Sequence, residues 1–78
     1  MKIQYYSRPG CHLCEEGLLV LKLVQEERPF EIDVINIEED EELHEKYMLM
    51  IPVVVKNQQV IQYGQIDYVT IYEALELK

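Results

Sequence analysis

The chain has 78 residues, 49% of them hydrophobic, and its 7 basic and 15 acidic side chains give a formal charge of −8. That length suits one compact domain, residues 1–78, built around a single core. No stretch approaches the roughly 18 to 20 apolar residues of a membrane span, and Met1-Lys2-Ile3-Gln4 lacks the apolar run of a secretory signal. The acidic balance, concentrated in Glu38-Glu39-Asp40-Glu41-Glu42, argues against nucleic acid as a partner. The expectation is a cytoplasmic monomer that meets neither membrane nor nucleic acid, with basic protein surfaces as better partners.

In chain order, Lys2 to Tyr6 reads as a strand with Ile3 and Tyr5 on one face by alternation, broken by Ser7-Arg8-Pro9-Gly10. From Cys11 to about Glu27, Leu18, Leu19, Val20, Leu21, Leu23 and Val24 predict a helix with a broad apolar surface, while Glu15, Glu16, Lys22, Gln25 and Glu26 stay wet. Glu15 and Glu16 suit a first turn, and Arg28-Pro29 ends the helix because the residue before a proline disfavours helical angles. Phe30 to Ile37 alternates through Phe30, Ile32 and Val34 and reads as a second strand, a length of connection that fits a parallel crossover.

The acidic run opens a short helix ending near Tyr47, with Leu43 and Tyr47 four residues apart. Ile51-Pro52 leads into Val53-Val54-Val55, a β-branched run typical of a buried strand. Lys56-Asn57-Gln58-Gln59 turns the chain, and Gln59 to Tyr63 returns antiparallel at or near an edge, closed by Gly64. Asp67 is a candidate N-cap for a last helix with Val69, Ile71, Tyr72, Leu75 and Leu77 on its inner side. The predicted order is βαβαββα, with no repeat or linker.

The only two cysteines stand as Cys11-His12-Leu13-Cys14, where a strand hands over to a helix. Two cysteines so close cannot staple distant parts of a fold, so redox chemistry or metal binding is the expected use. The segments Tyr6 to Cys14 and Met50 to Val55, together with the element order, resemble a glutaredoxin-like protein of the thioredoxin fold. The resemblance covers nearly the whole chain and is closest to small bacterial glutaredoxin-like proteins that keep the C-x-x-C and the proline without the full glutathione signature. It implies an α/β fold of glutaredoxin type, βαβαββα around a four-stranded mixed sheet, and a thiol-disulfide oxidoreductase.

The residues themselves agree with that implication. Cys11 lies at a helix start, where unpaired N–H groups and the macrodipole stabilise a thiolate, so it is the expected nucleophile, with Cys14 one turn deeper as the resolving thiol. His12 beside it could hydrogen-bond or, when protonated, stabilise the thiolate. The resemblance further implies that Arg8 helps the thiolate or a glutathione carboxylate, that Pro52 is the fold's cis-proline, and that Met50 and Ile51 form the lip of a substrate groove. It places Leu13 where a residue between the cysteines is usually aromatic.

The pattern also departs from glutathione-binding relatives. Gln65 stands where their second glycine would be, and Asp67, near the offset of their ligand-binding aspartate, could serve as a helix cap. No cofactor is expected, and glutathione is one candidate reductant or substrate beside a protein disulfide or another low-molecular-weight thiol, with a thiol reductase for recycling. Two other functions remain open. One is a soft-metal carrier, similar to copper metallochaperones in its paired thiolates. It lacks their Met before the first Cys and their final strand, and two cysteines supply half of an iron-sulfur cluster's four ligands, so no metal-ligand set is assigned. The other is a non-catalytic interaction module on the same scaffold.

Overall fold

The computed structural model describes residues 1–76 of the chain. The elements are β1 (Lys2–Ser7), α1 (His12–Glu27), β2 (Glu31–Asn36), a 3-10 turn (Ile37–Glu39), α2 (Glu41–Tyr47), β3 (Val53–Lys56), β4 (Gln59–Tyr63) and α3 (Tyr68–Glu76). The strands form one mixed sheet in the order β2-β1-β3-β4. β1 pairs parallel with β2 and antiparallel with β3, and β3 pairs antiparallel with β4. The expected βαβαββα order is therefore observed, with the 3-10 turn as an addition.

Alternation along the strands splits the apolar side chains into two clusters. Ile3, Tyr5 and Val54 meet Leu21 and Val24 of α1 and Ile71 and Leu75 of α3, with Phe30 and Ile66 closing the ends. Val53 and Val55 point the other way, onto Ile37 and onto Tyr47 of α2. Consecutive valines thus serve both faces, which is why Val53, Val54 and Val55 are all buried. The result is three layers, with α1 and α3 on one side of the sheet and α2 on the other.

Several expectations about exposure fail. The broad apolar surface of α1 is narrower than predicted: Leu19 and Leu23 are 63% and 53% exposed, and the buried positions are Cys14, Gly17, Leu21 and Val24. A helix against one sheet face buries a single stripe at three- and four-residue spacing. Val34 is exposed because β2 is an edge strand, and Val69 is exposed because it lies two residues, about 200° of helix, from Ile71, which faces the core. Leu77 lies outside the described residues.

Local chemistry sets the boundaries. The Asn36 side chain accepts from Glu38 N–H (2.9 Å), which stops β2 and starts the 3-10 turn, while the Asp40 carboxylate accepts from Glu42 N–H (2.9 Å) and Leu43 N–H (3.3 Å) to cap α2. Asp67 caps α3 as expected: its Oδ2 accepts from Thr70 N–H (2.9 Å) and from the Thr70 hydroxyl (2.7 Å). Those bonds hold its carboxyl below the ordinary aspartate value of 3.8. The β3–β4 hairpin turns through Asn57 (φ 52°) and Gln58 (φ 66°), the left-handed pair that a two-residue turn needs.

Candidate active site

The register of the sheet gathers three connections at one end. Ser7, the last residue of β1, runs into the loop that carries Cys11. Tyr6 pairs with Val53, and Val53 pairs with Tyr63, so the segment before β3 and the segment after β4 flank that loop's exit from the sheet. These are Met50-Ile51-Pro52 and Gly64-Gln65-Ile66-Asp67. They are tied together by Gly64, whose N–H donates to the carbonyls of Met50 (3.0 Å) and Pro52 (2.8 Å). Gly64 has φ 76°, an angle that favours glycine.

Cys11 is the N-cap of α1 rather than its first helical residue. Its sulfur occupies the place usually taken by a Ser or Asp oxygen and accepts from the Cys14 N–H at 3.2 Å. Cys11 and Cys14 lie at disulfide distance, with Cα atoms 5.1 Å apart. Cys11 is half-buried and Cys14 buried, so one sulfur faces solvent more than the other. The C-x-x-C spacing is therefore an N-cap and its N3 residue, the pair of positions that a capping side chain bridges.

Around the pair, Arg8 and His12 are exposed and Leu13 is 45% exposed. His12 Nε2 lies 3.1 Å from Glu16 Oε2, one turn along the helix. Ile51 is half-buried and its peptide bond to Pro52 is cis. The Pro52 ring is fully buried. The Ile51 N–H already donates to the Tyr47 carbonyl (3.0 Å), as does Met50 N–H (2.8 Å).

Two features escaped the sequence reading. The Tyr5 hydroxyl, assigned only to an apolar face, donates to the Cys14 carbonyl at 2.7 Å, and burial pushes its phenol pKa up. Gly17, which no motif singled out, is the close-approach point: a Cβ there would meet the Tyr5 hydroxyl and, at 2.9 Å, Ile66 Cγ1. The available signal was an isolated glycine inside a helical pattern.

The acidic run stands apart from the cysteines. Glu38, Glu41, His44 and Glu45 line an open hollow of about 460 Å³ on the 3-10 turn and α2. Among the described residues, no group of three or more His, Cys, Asp or Glu side chains is gathered to hold a metal ion. No helix among them is long and apolar enough to cross a membrane.

Residues 2–76 match the profile of the glutaredoxin-like domain family (DUF836). The chain belongs to that family. No curated protein matches the chain. Among solved structures, protein Ne2328 from Nitrosomonas europaea is 35% identical, with 94% of this chain and 88% of that one covered and a TM-score of 0.81. The X. campestris protein XcR50 is 22% identical with 97% of each chain covered and a TM-score of 0.83. The glutaredoxin-like protein NrdH-redoxin from Escherichia coli, described as having a thioredoxin-like activity profile, is 25% identical over 81% of this chain and 83% of that one, with a TM-score of 0.56. The fold of this glutaredoxin-like domain is thus thioredoxin-like, and its paired cysteines are consistent with a redox function.

Proposed function

We propose that this glutaredoxin-like protein is a cytoplasmic thiol-disulfide oxidoreductase that cycles Cys11 and Cys14 between dithiol and disulfide. The observation that carries the reading is the placement of Cys11 as N-cap sulfur over the Cys14 N–H, half-buried and at disulfide distance from a buried partner. In the reduced protein the same N–H groups and the helix N-terminus favour a Cys11 thiolate. That thiolate attacks a substrate disulfide, forming a Cys11–substrate disulfide and expelling one substrate thiolate. Cys14 loses its proton and attacks the Cys11 sulfur, forming the Cys11–Cys14 disulfide and expelling the second thiolate. The substrate gains two electrons and two protons, and the protein's dithiol loses them. An external thiol, such as glutathione, or a reductase dithiol reverses the process.

Arg8, His12 and Leu13, exposed and beside the cysteines in sequence, would supply the rim on which a substrate rests, together with half-buried Ile51. Because the Ile51 N–H is committed to Tyr47, pairing with an extended substrate would rest on its carbonyl, and the buried Pro52 would act by shaping that backbone. Asp67 is engaged as a cap through Thr70, which weighs against glutathione and favours a protein disulfide or another small thiol. A soft-metal carrier, which would hold its ion through the two thiolates alone, is less well supported, since the last described element is the helix α3 and not the final strand of copper metallochaperones. The test is substitution: Cys14→Ser, offered a disulfide substrate, should trap a mixed disulfide on Cys11, and Cys11→Ser should form none. Adducts on Cys14 instead of Cys11, or no adduct in either variant, would overturn the assigned roles.

A further inference from the structure

α1 carries a glycine at a fully packed interior position, which costs a helix about 1 kcal/mol relative to alanine. Its neighbour across the interface is the hydroxyl of Tyr5, and a Cβ at Gly17 would collide with that oxygen. The hydroxyl is directed at the carbonyl of Cys14. That carbonyl is the helical acceptor for the N–H four residues on, so the phenol takes its second lone pair. The helix does not need this bond, and an apolar side chain on β1 would leave α1 equally well hydrogen-bonded. A phenol is protonated at neutral pH and burial pushes the Tyr5 pKa further up, so the hydroxyl keeps its proton to donate.

We propose that Tyr5 is a positioning residue for the resolving cysteine: seated in the notch at Gly17, its hydroxyl fastens the Cys14 peptide to the central strand. This rests on the dithiol reading above. Cys14 lies in the first turn of α1, the part of a helix most prone to fray, whereas Tyr5 is 1% exposed and lies in β1, paired on both sides. The fastening holds the Cys14 Cα at its distance from Cys11 and leaves Cys11, the N-cap, as the member that moves. Tyr5 thereby favours the intramolecular disulfide over an open dithiol or a persistent mixed disulfide on Cys11. It touches no substrate and acts only through Cys14.

The experiment measures the dithiol–disulfide equilibrium constant against glutathione, by acid quench, alkylation and intact mass, for the parent protein, Tyr5→Phe and Leu75→Ala. Urea unfolding of the oxidised and reduced forms of each accompanies it. Tyr5→Phe should lower the equilibrium constant for disulfide formation by about threefold to tenfold, the worth of one buried hydrogen bond, and should destabilise the oxidised form more than the reduced form by the same factor. Leu75→Ala, a packing change in the same core cluster that removes neither partner of the bond, should destabilise both forms equally and leave the constant unchanged. Equal destabilisation of both forms by Tyr5→Phe with an unchanged constant would overturn the proposal and reduce Tyr5 to packing. Failure of the parent protein to form a reversible Cys11–Cys14 disulfide would instead refute the dithiol reading on which the proposal stands. Should Tyr5→Phe not fold, Gly17→Ala, which displaces the hydroxyl without removing it, should lower the constant in the same direction, and an unchanged constant there would refute the proposal equally.

Discussion

Replacing Gly17 by alanine should destabilise the protein although alanine is the better helix former. The new Cβ would meet Ile66 Cγ1 at 2.9 Å, Tyr5 Cζ at 3.3 Å and the Tyr5 hydroxyl oxygen. Overpacking of this kind costs about 1 to 3 kcal/mol, and pushing the hydroxyl off the Cys14 carbonyl costs about 1 more. The gain in helix propensity returns about 1 kcal/mol. The net loss is about 1 to 3 kcal/mol, which for a domain of this size lowers the melting temperature by roughly 4 to 8 °C per kcal/mol. Urea unfolding at a fixed redox state measures it, with an unchanged slope showing that stability alone has moved. Repeating the substitution on Tyr5→Phe isolates the cause, since the oxygen and its bond are then gone. The cost of Gly17→Ala should fall there by about 1 kcal/mol or more. A neutral or stabilising Gly17→Ala, or the same cost in both backgrounds, would refute the reasoning.

Other outcomes follow from single positions. Gln58→Gly should stabilise the hairpin by about 1 kcal/mol, because Gln58 holds φ 66° where glycine carries no Cβ penalty, and unfolding midpoints report it. Leu19→Lys should change stability by less than about 0.5 kcal/mol, since Leu19 is 63% exposed; a loss of about 2 kcal/mol or more would mean that this face is covered. Asp67 titrates below the ordinary aspartate value because it accepts two bonds from Thr70. Its cap therefore contributes stability above the unfolded-state value of about 4, and that contribution is lost as pH falls through the lower folded value. Thr70→Ala should move the Asp67 midpoint upward in an NMR titration, and an unmoved midpoint would assign the shift to another cause. Arg8→Ala should raise the pH midpoint for alkylation of reduced Cys11, and an unchanged profile would remove Arg8 from the site.

The parts legible in the sequence were those that depend on local pattern. Alternation through Ile3 and Tyr5, the β-branched run of Val53 to Val55 and the cap at Asp67 each report a local backbone state, and each holds. The C-x-x-C stood out as the only cysteine pair, set where a strand hands over to a helix, and the structure makes it an N-cap and the residue that it caps. What was not legible depends on depth and on contacts between elements. Counting leucines overstated the buried face of α1, since Cys14 and Gly17 occupy two of its four buried positions and neither reads as a core residue. The edge position of β2, which exposes Val34, is a property of the whole sheet. The Tyr5–Gly17 approach joins residues 12 apart through a strand and a helix, and neither residue type signals it alone. His12 and Glu16, four residues apart on a helix, were within reach of pattern reasoning.

The central claim is that Cys11 and Cys14 form a reversible redox pair. Titration of the purified protein in dithiothreitol and glutathione buffers, quenched by alkylation and read by intact mass, tests it most directly. The account predicts a single two-electron transition between a doubly alkylated dithiol and an unalkylated disulfide, within about −120 to −270 mV, the span of known oxidoreductases. Thiols that stay alkylatable across that whole range, or that oxidise only after a chelator is added, would contradict it.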